Sequence, residues 1–245
     1  MSKKKSLLHG LPAALIVLSA AISICAQNQP GAKHNSRPQQ VSDASAVSGT
    51  AATTDAVKYT YEFSQPKFYV KHIVLEHDGN GRGTVTFERL NEDTPINEPI
   101  ELSTEALARI TSSWQALQFL ESDTNYQSDR QFPHLGTMRI GMQRGERKRV
   151  AEFNWTNNSV ASKLVNEYRK AADQAMLVFD IALARENQPL NTPKLMELFE
   201  TLLKRDGLSD PRQLLKLLQE MSTDERIPLI ARNHALRLIK VIEKR

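Results

Sequence analysis

The sequence predicts an α+β protein: an antiparallel sheet of about four to five strands, packed by two helices and followed by a C-terminal three-helix segment. Three observations predict this class. Short segments with alternating apolar residues are joined by turn residues, as in β-hairpins. Two other segments repeat apolar residues at helical spacing. Beyond about residue 187, every apolar pattern is helical.

The first 26 residues predict a secretory signal peptide. Lysines at positions 3–5 precede an apolar run from Leu11 to Cys25, and Ala26 suits the position before cleavage. The run has about 15 residues, fewer than the ~20 that a membrane-spanning helix needs. We therefore expect an exported protein, periplasmic or secreted, with no stable membrane span after cleavage. An uncleaved N-terminal anchor and a lipoprotein modified at Cys25 are the alternatives.

Export changes the chemistry that the chain can support. Cleavage removes the single cysteine, so the mature chain has no disulfide, thiolate nucleophile or cysteine-bound metal. Disulfide-free export is commoner in bacterial envelopes than in animal secretions, so we expect a bacterial source. Loss of the three leader lysines lowers the formal net charge from +4 to about +1, because the leader has no acidic residue. A nearly neutral chain gives no reason to expect nucleic-acid binding.

The mature chain divides by composition into three parts. Residues 27–56 are mostly small or polar and predict a disordered linker, since they cannot bury enough apolar surface to offset their ordering entropy. Residues 57–186 form the predicted α+β domain, and residues 187–245 form a helical C-terminal segment. Three short helices make a marginal independent domain, so we expect them to dock on the sheet domain.

The α+β domain begins with strand patterns. Aromatic and polar residues alternate over 59–63. Segments 68–77 and 84–90 flank 78–83, whose three glycines suit a reversal, and together they predict a hairpin. Residues 98–102 predict a short edge strand.

A helix, a second hairpin and a longer helix follow. Ser103 is a suitable N-cap, and one helical face ending near Leu120 comprises Leu107, Ile110, Trp114 and Leu117. Alternation over 138–155, with a turn at 144–146, predicts the second hairpin. Asn158 or Ser159 caps the long helix, whose predicted apolar stripe comprises Leu164, Tyr168, Ala171, Ala175, Val178 and Ala182.

The C-terminal helices are predicted from their start signals. Thr192 with Pro193 begins the first, and Asp210 with Pro211 begins the second. Ser222 with Glu225 matches a capping box for the third, and Pro228 is expected to bend or restart that helix.

The element order in 57–186 and the Asp78-Gly79 turn resemble small exported bacterial α+β domains of unknown function. The resemblance covers about half the chain and depends on element order rather than on a diagnostic motif. It implies an envelope protein and transfers no catalytic residue.

Two clusters are candidate binding sites. The loop from Glu121 to His134 is the densest polar stretch, and loops of this kind often carry function. Its candidate ligand-binding residues are Asp123, Asn125, Tyr126, Asp129, Arg130 and His134. Ser128 and His134 occupy the positions where a calcium-binding EF-hand loop has Gly and Glu, so no metal is predicted. The candidate anion-binding residues, in the second hairpin, are Arg139, Arg144, Arg147, Lys148 and Arg149.

No catalytic residue or cofactor is predicted, because the chain shows no nucleophile elbow, phosphate-binding loop or metal-ligand spacing. The leading hypothesis is a non-enzymatic exported module that binds an unknown protein or envelope polymer through its sheet face or the 121–134 loop. One alternative is a hydrolase of envelope polymers that uses Asp123, Asp129 or His134. The other is an adaptor that acts through the C-terminal helices.

Overall fold

The computed structural model describes residues 56–245. The predicted signal peptide (1–26) and all but the last residue of the predicted linker (27–56) lie outside the described residues. The described part contains six strands and five α-helices. These are β1 (Val57–Ser64), β2 (Val70–Asp78), β3 (Arg82–Arg89), β4 (Ile96–Glu101), α1 (Thr104–Leu117), β5 (Thr137–Arg144), β6 (Arg147–Phe153), α2 (Ser159–Asn187), α3 (Thr192–Lys204), α4 (Leu215–Thr223) and α5 (Leu229–Glu243).

The six strands form one antiparallel sheet in the order β4-β3-β2-β1-β5-β6. This confirms the α+β class, whereas the predicted count of four to five strands is too low. The strand pattern predicted at 59–63 lies in β1, which occupies a central position in the sheet. Tyr61 of β1 pairs with Leu75 of β2 on one side and with Ile140 of β5 on the other.

Helices α1 and α2 cover one face of the sheet. The apolar core of this layer lies between the sheet and these helices. It includes Leu75, Phe87 and Ile140 of the sheet, Ile110 and Trp114 of α1, and apolar residues of the first half of α2. Ser103 caps α1 through its hydroxyl, which accepts a hydrogen bond from the Ala106 amide (3.2 Å), as predicted. Burial of these apolar side chains is the main stabilising contribution to this layer.

The second half of α2 supports the C-terminal helices. Leu177 and Ile181 belong to a second apolar core that α3, α4 and α5 complete. Ala182, at the end of the predicted stripe, is exposed instead, because these helices pack against a different side of α2. Among the described residues, no helix combines the length and the apolar character needed to span a membrane.

One predicted helix start is wrong. Ser222 lies inside α4, where its hydroxyl donates to the Gln219 carbonyl (2.7 Å), and it caps nothing. Helix α5 begins six residues beyond α4, directly after Pro228. Proline favours this position because its fixed φ suits a helix start and its missing N–H disfavours a helix interior. The predicted restart at Pro228 is therefore confirmed.

The other face of the sheet carries a row of acidic and basic side chains that crosses five strands. The two ring nitrogens of His72 each lie 3.1 Å from a carboxylate oxygen, one of Glu62 and one of Glu88. Arg139 lies between Glu62 (3.2 Å) and Glu152 (2.7 Å). Acidic and basic neighbours therefore face one another across this open face.

Candidate functional site

A groove of about 1130 Å³ lies between the covered face of the sheet and the first half of α2. Its volume is slightly above the roughly 300–1,000 Å³ of small-molecule pockets. The sheet supplies an apolar wall, to which Tyr61, Phe63, Ile73, Met138 and Phe153 contribute. We call this cavity the α2 groove.

The turn between β1 and β2 forms one end of the α2 groove, and Gln65 holds it in place. The buried Gln65 amide donates to the carbonyls of Pro133 and His134, each at 3.0 Å. The Gln65 backbone N–H donates to the Lys71 carbonyl (2.8 Å). This anchoring places the aromatic residues of the turn, Phe68 and Tyr69, at the groove mouth.

The turn between β6 and α2 also borders the mouth. The Trp155 ring packs edge-on against the Phe132 ring, with centroids 5.3 Å apart. The backbone carbonyl of Trp155 accepts a hydrogen bond from the Ser128 amide (2.9 Å). The Asn154 side-chain oxygen accepts from the Phe132 amide (3.1 Å). The predicted 121–134 loop thus supports the groove wall from outside.

Helix α2 supplies a mostly polar wall. The Asn158 side chain begins this helix by accepting hydrogen bonds from the amides of Val160 (3.0 Å) and Ala161 (2.9 Å). Residues spaced three and four apart then face the groove: Ser159, Ser162, Asn166, Arg169, Asp173 and Met176. The groove therefore has one apolar wall and one mostly polar wall, to which Val165 and Met176 add apolar contacts.

Three cations and one carboxylate line the α2 groove. Lys67, Lys163 and Arg169 form no ion pair with another described residue. Asp173 lies 3.9 Å from Arg205, and burial raises the pKa of its carboxyl. Burial also raises the pKa of Tyr61 to about 12, which the positive charge of Arg169 partly opposes. The lining is therefore net positive.

The predicted ligand-binding loop does not form a pocket with the groove. Among its six candidate residues, Tyr126 is buried and the other five are exposed: Asp123, Asn125, Asp129, Arg130 and His134. None of the six borders the α2 groove. Within the described residues, no cluster of three His, Cys, Asp or Glu side chains has a geometry that could hold a metal ion.

The predicted anion-binding cations are divided between the two faces of the sheet. Arg147 donates to the Leu120 carbonyl (3.0 Å), and Arg149 donates to the carbonyls of Phe119 (2.6 Å) and Thr124 (2.7 Å). These two side chains therefore hold the chain after α1. Arg139 belongs to the open-face row, whereas Arg144 and Lys148 are exposed.

A buried chain of polar side chains lies within the core. The Trp114 indole N–H donates to the Tyr168 hydroxyl oxygen (2.9 Å). Since indole only donates, the hydroxyl proton is free to go to His77 Nε2 (2.9 Å), and His77 Nδ1 then donates to the Asp78 carbonyl (2.7 Å). Burial lowers the pKa of His77. All three rings are sealed from solvent, so this chain ties β2 to both covering helices.

Sequence reasoning missed the α2 groove. The predicted strands include Phe68, Tyr69 and Trp155. All three lie instead in the turns that border the groove, because β2 begins at Val70 and β6 ends at Phe153. The polar stripe of α2, which begins at Ser159 and Ser162, was a signal that could have indicated the groove. The chain matches no known protein family, and no curated protein is significantly similar to it.

Proposed function

We propose that the protein is an exported, non-enzymatic module that binds an apolar ligand in the α2 groove. The observation that carries this proposal is the cluster of exposed apolar side chains around the groove mouth. Phe68, Tyr69, Leu135 and Trp155 all border it and are 39% to 58% exposed. Clustered exposed apolar side chains beside a cavity with an apolar wall are typical of ligand-binding sites.

The hydrolase alternative receives less support from the geometry. Asp123, Asp129 and His134 are exposed and lie outside the α2 groove. An acid–base pair works best where burial or neighbouring charges separate the two pKa values. The binding proposal therefore uses the groove and assigns no chemistry to the loop.

Titration with phenylnaphthylamine, an uncharged apolar fluorophore, tests the proposal. We expect saturable binding to the wild-type protein and its loss in Ser162→Trp, which places an indole in the groove. Ser112→Trp is the matched control, because Ser112 is also an exposed helical serine but lies outside the groove. Equal binding by both variants and the wild type would contradict the proposal.

A second candidate is an adaptor that acts through the C-terminal helices. Among residues 56–245, the three most exposed large apolar side chains are in this segment: Leu190 (84%), Ile230 (67%) and Leu229 (60%). A photoreactive residue at Ile230 tests it in the source cell. The adaptor function predicts crosslinking to one defined protein from Ile230 and not from the exposed Thr104. No such product would contradict it.

A further inference from the structure

We infer that the occupant of the α2 groove is a single-chain amphiphile with an anionic head, such as a fatty acid or an alkyl phosphate. Its chain lies along the sheet wall, and its head lies at the cations of the groove. The inference rests on the proposed binding function and adds the chemical class of the ligand.

The two walls differ in a way that suits an amphiphile. The sheet wall, which includes Phe63, Ile73 and Met138, offers an apolar surface against which an alkyl chain can pack. The α2 wall offers hydroxyl, amide and guanidinium groups at Ser162, Asn166 and Arg169. A wholly apolar ligand would desolvate these polar groups without giving them a hydrogen-bond partner, which is unfavourable.

Charge complementarity selects the head group. Lys67, Lys163 and Arg169 have no ion-pair partner among the described residues. The one carboxylate of the lining, Asp173, is already near Arg205 outside the groove (3.9 Å). A carboxylate or phosphate head therefore finds two lysines, Lys67 and Lys163, without a competing acid. It shares Arg169 with Asp173, because the positive charge of Arg169 also acts on that carboxyl and opposes the rise of its pKa. Guanidinium groups pair especially well with such anions.

The head group is tested with ligands that share one chain length. The measurement is the displacement of phenylnaphthylamine by each ligand below its micelle-forming concentration. The ligands are dodecanoate, dodecyl phosphate, dodecanol and dodecylamine. We expect both anions to bind at least about tenfold more tightly than dodecanol, and dodecylamine to bind most weakly. Comparing the affinities of the two anions shows whether the groove prefers a carboxylate head or a phosphate head. Shortening the acid should weaken binding about fourfold per methylene.

Charge variants in the full-length protein locate the head. Arg169→Gln and Lys163→Gln should each weaken dodecanoate binding about tenfold and weaken dodecanol binding much less. Lys194→Gln is the control, because Lys194 is an exposed lysine of α3 outside the groove, and it should change neither affinity.

The outcomes distinguish the inference from the proposed function. If dodecanol binds as tightly as dodecanoate, the anionic head is wrong, while the groove still binds an apolar ligand. If neither the fluorophore nor any amphiphile binds, both proposals fail. If sedimentation shows a dimer that Ser162→Trp disrupts and amphiphiles do not, a second copy of the chain fills the groove and the inference is overturned.

Discussion

Arg89 is a buried cation that ties the sheet to α2. Its guanidinium lies 2.6 Å from Asp180 and is centred 5.0 Å from the Phe87 ring. Asp180→Asn removes the nearer of the two carboxylates that compensate the buried charge, the other being Glu92 at 3.4 Å. We expect the free energy of unfolding to fall by about 1.5–3 kcal/mol, measured by urea denaturation.

Glu101→Gln is the control for this prediction. It breaks the exposed pair between Arg82 and Glu101, and exposed pairs contribute about 0–1 kcal/mol because solvent screens them. Equal losses in the two variants would show that the Arg89 pair contributes no more than a surface pair.

The buried His77 gives stability a pH dependence of known sign. Burial lowers its folded-state pKa below the ordinary value of about 6.5, so the unfolded chain takes up the proton first as the pH falls. The contribution of His77 is fully present above about pH 6.5 and declines below it, until the folded-state pKa is reached. We expect His77→Gln to be destabilised at pH 8 but to lose this part of the pH dependence of the unfolding free energy.

His134→Gln is the matched control, since His134 is exposed. It should keep the wild-type slope between about pH 6.5 and pH 5. If His77→Gln also keeps that slope, another group titrates in this range and His77 is not its source.

At the scale of elements, the β2–β3 hairpin depends on a glycine in its strand. A Cβ on Gly83 would lie 1.8 Å from the Glu76 carbonyl oxygen, whereas a Cβ on Gly79 in the turn would meet nothing within 4 Å. Gly83→Ala must push the two strands apart. We expect it to lower the free energy of unfolding by at least about 1–3 kcal/mol and Gly79→Ala to change it little. Equal thermal unfolding midpoints would contradict this.

The conformation of the chain after α1 depends on hydrogen bonds from Arg149. This side chain donates to two carbonyls, of Phe119 and Thr124, and lies 4.6 Å from the Phe119 ring centroid. In Arg149→Gln, we expect amide hydrogen exchange over residues 119–124 to accelerate about tenfold. Lys148→Gln, the adjacent exposed residue, should leave this exchange unchanged. The same exchange in both variants would mean that Arg149 does not hold the loop.

At the scale of the molecule, local periodicity predicted the elements, but their partners required the structure. The α1 face at Ile110 and Trp114 and the edge strand β4 are confirmed, because burial of one side leaves a repeat in the sequence. The separate central position of β1 was missed, since alternation at Tyr59 and Tyr61 does not specify which strands flank it. The capping box predicted at Ser222 is wrong, because α4 continues through Ser222 and the next helix begins only after Pro228.

The candidate site was not predictable in the same way. The α2 groove forms because β1 lies between β2 and β5, which brings the turn at Phe68, the turn at Trp155 and the α2 stripe to one end of the sheet. These segments are far apart in the chain, so no spacing rule joins them. The 121–134 loop attracted attention through its polarity, whereas its Tyr126 is buried and its Ser128 supports Trp155.

The most direct test of the groove as the binding site is a crystal structure of the protein with dodecanoate. The account predicts density for the chain against Phe63 and Met138, with the carboxylate within hydrogen-bonding distance of Arg169 or Lys163. Density for the ligand on another surface, such as the exposed side chains of Leu229 and Ile230, with the α2 groove empty, would contradict it.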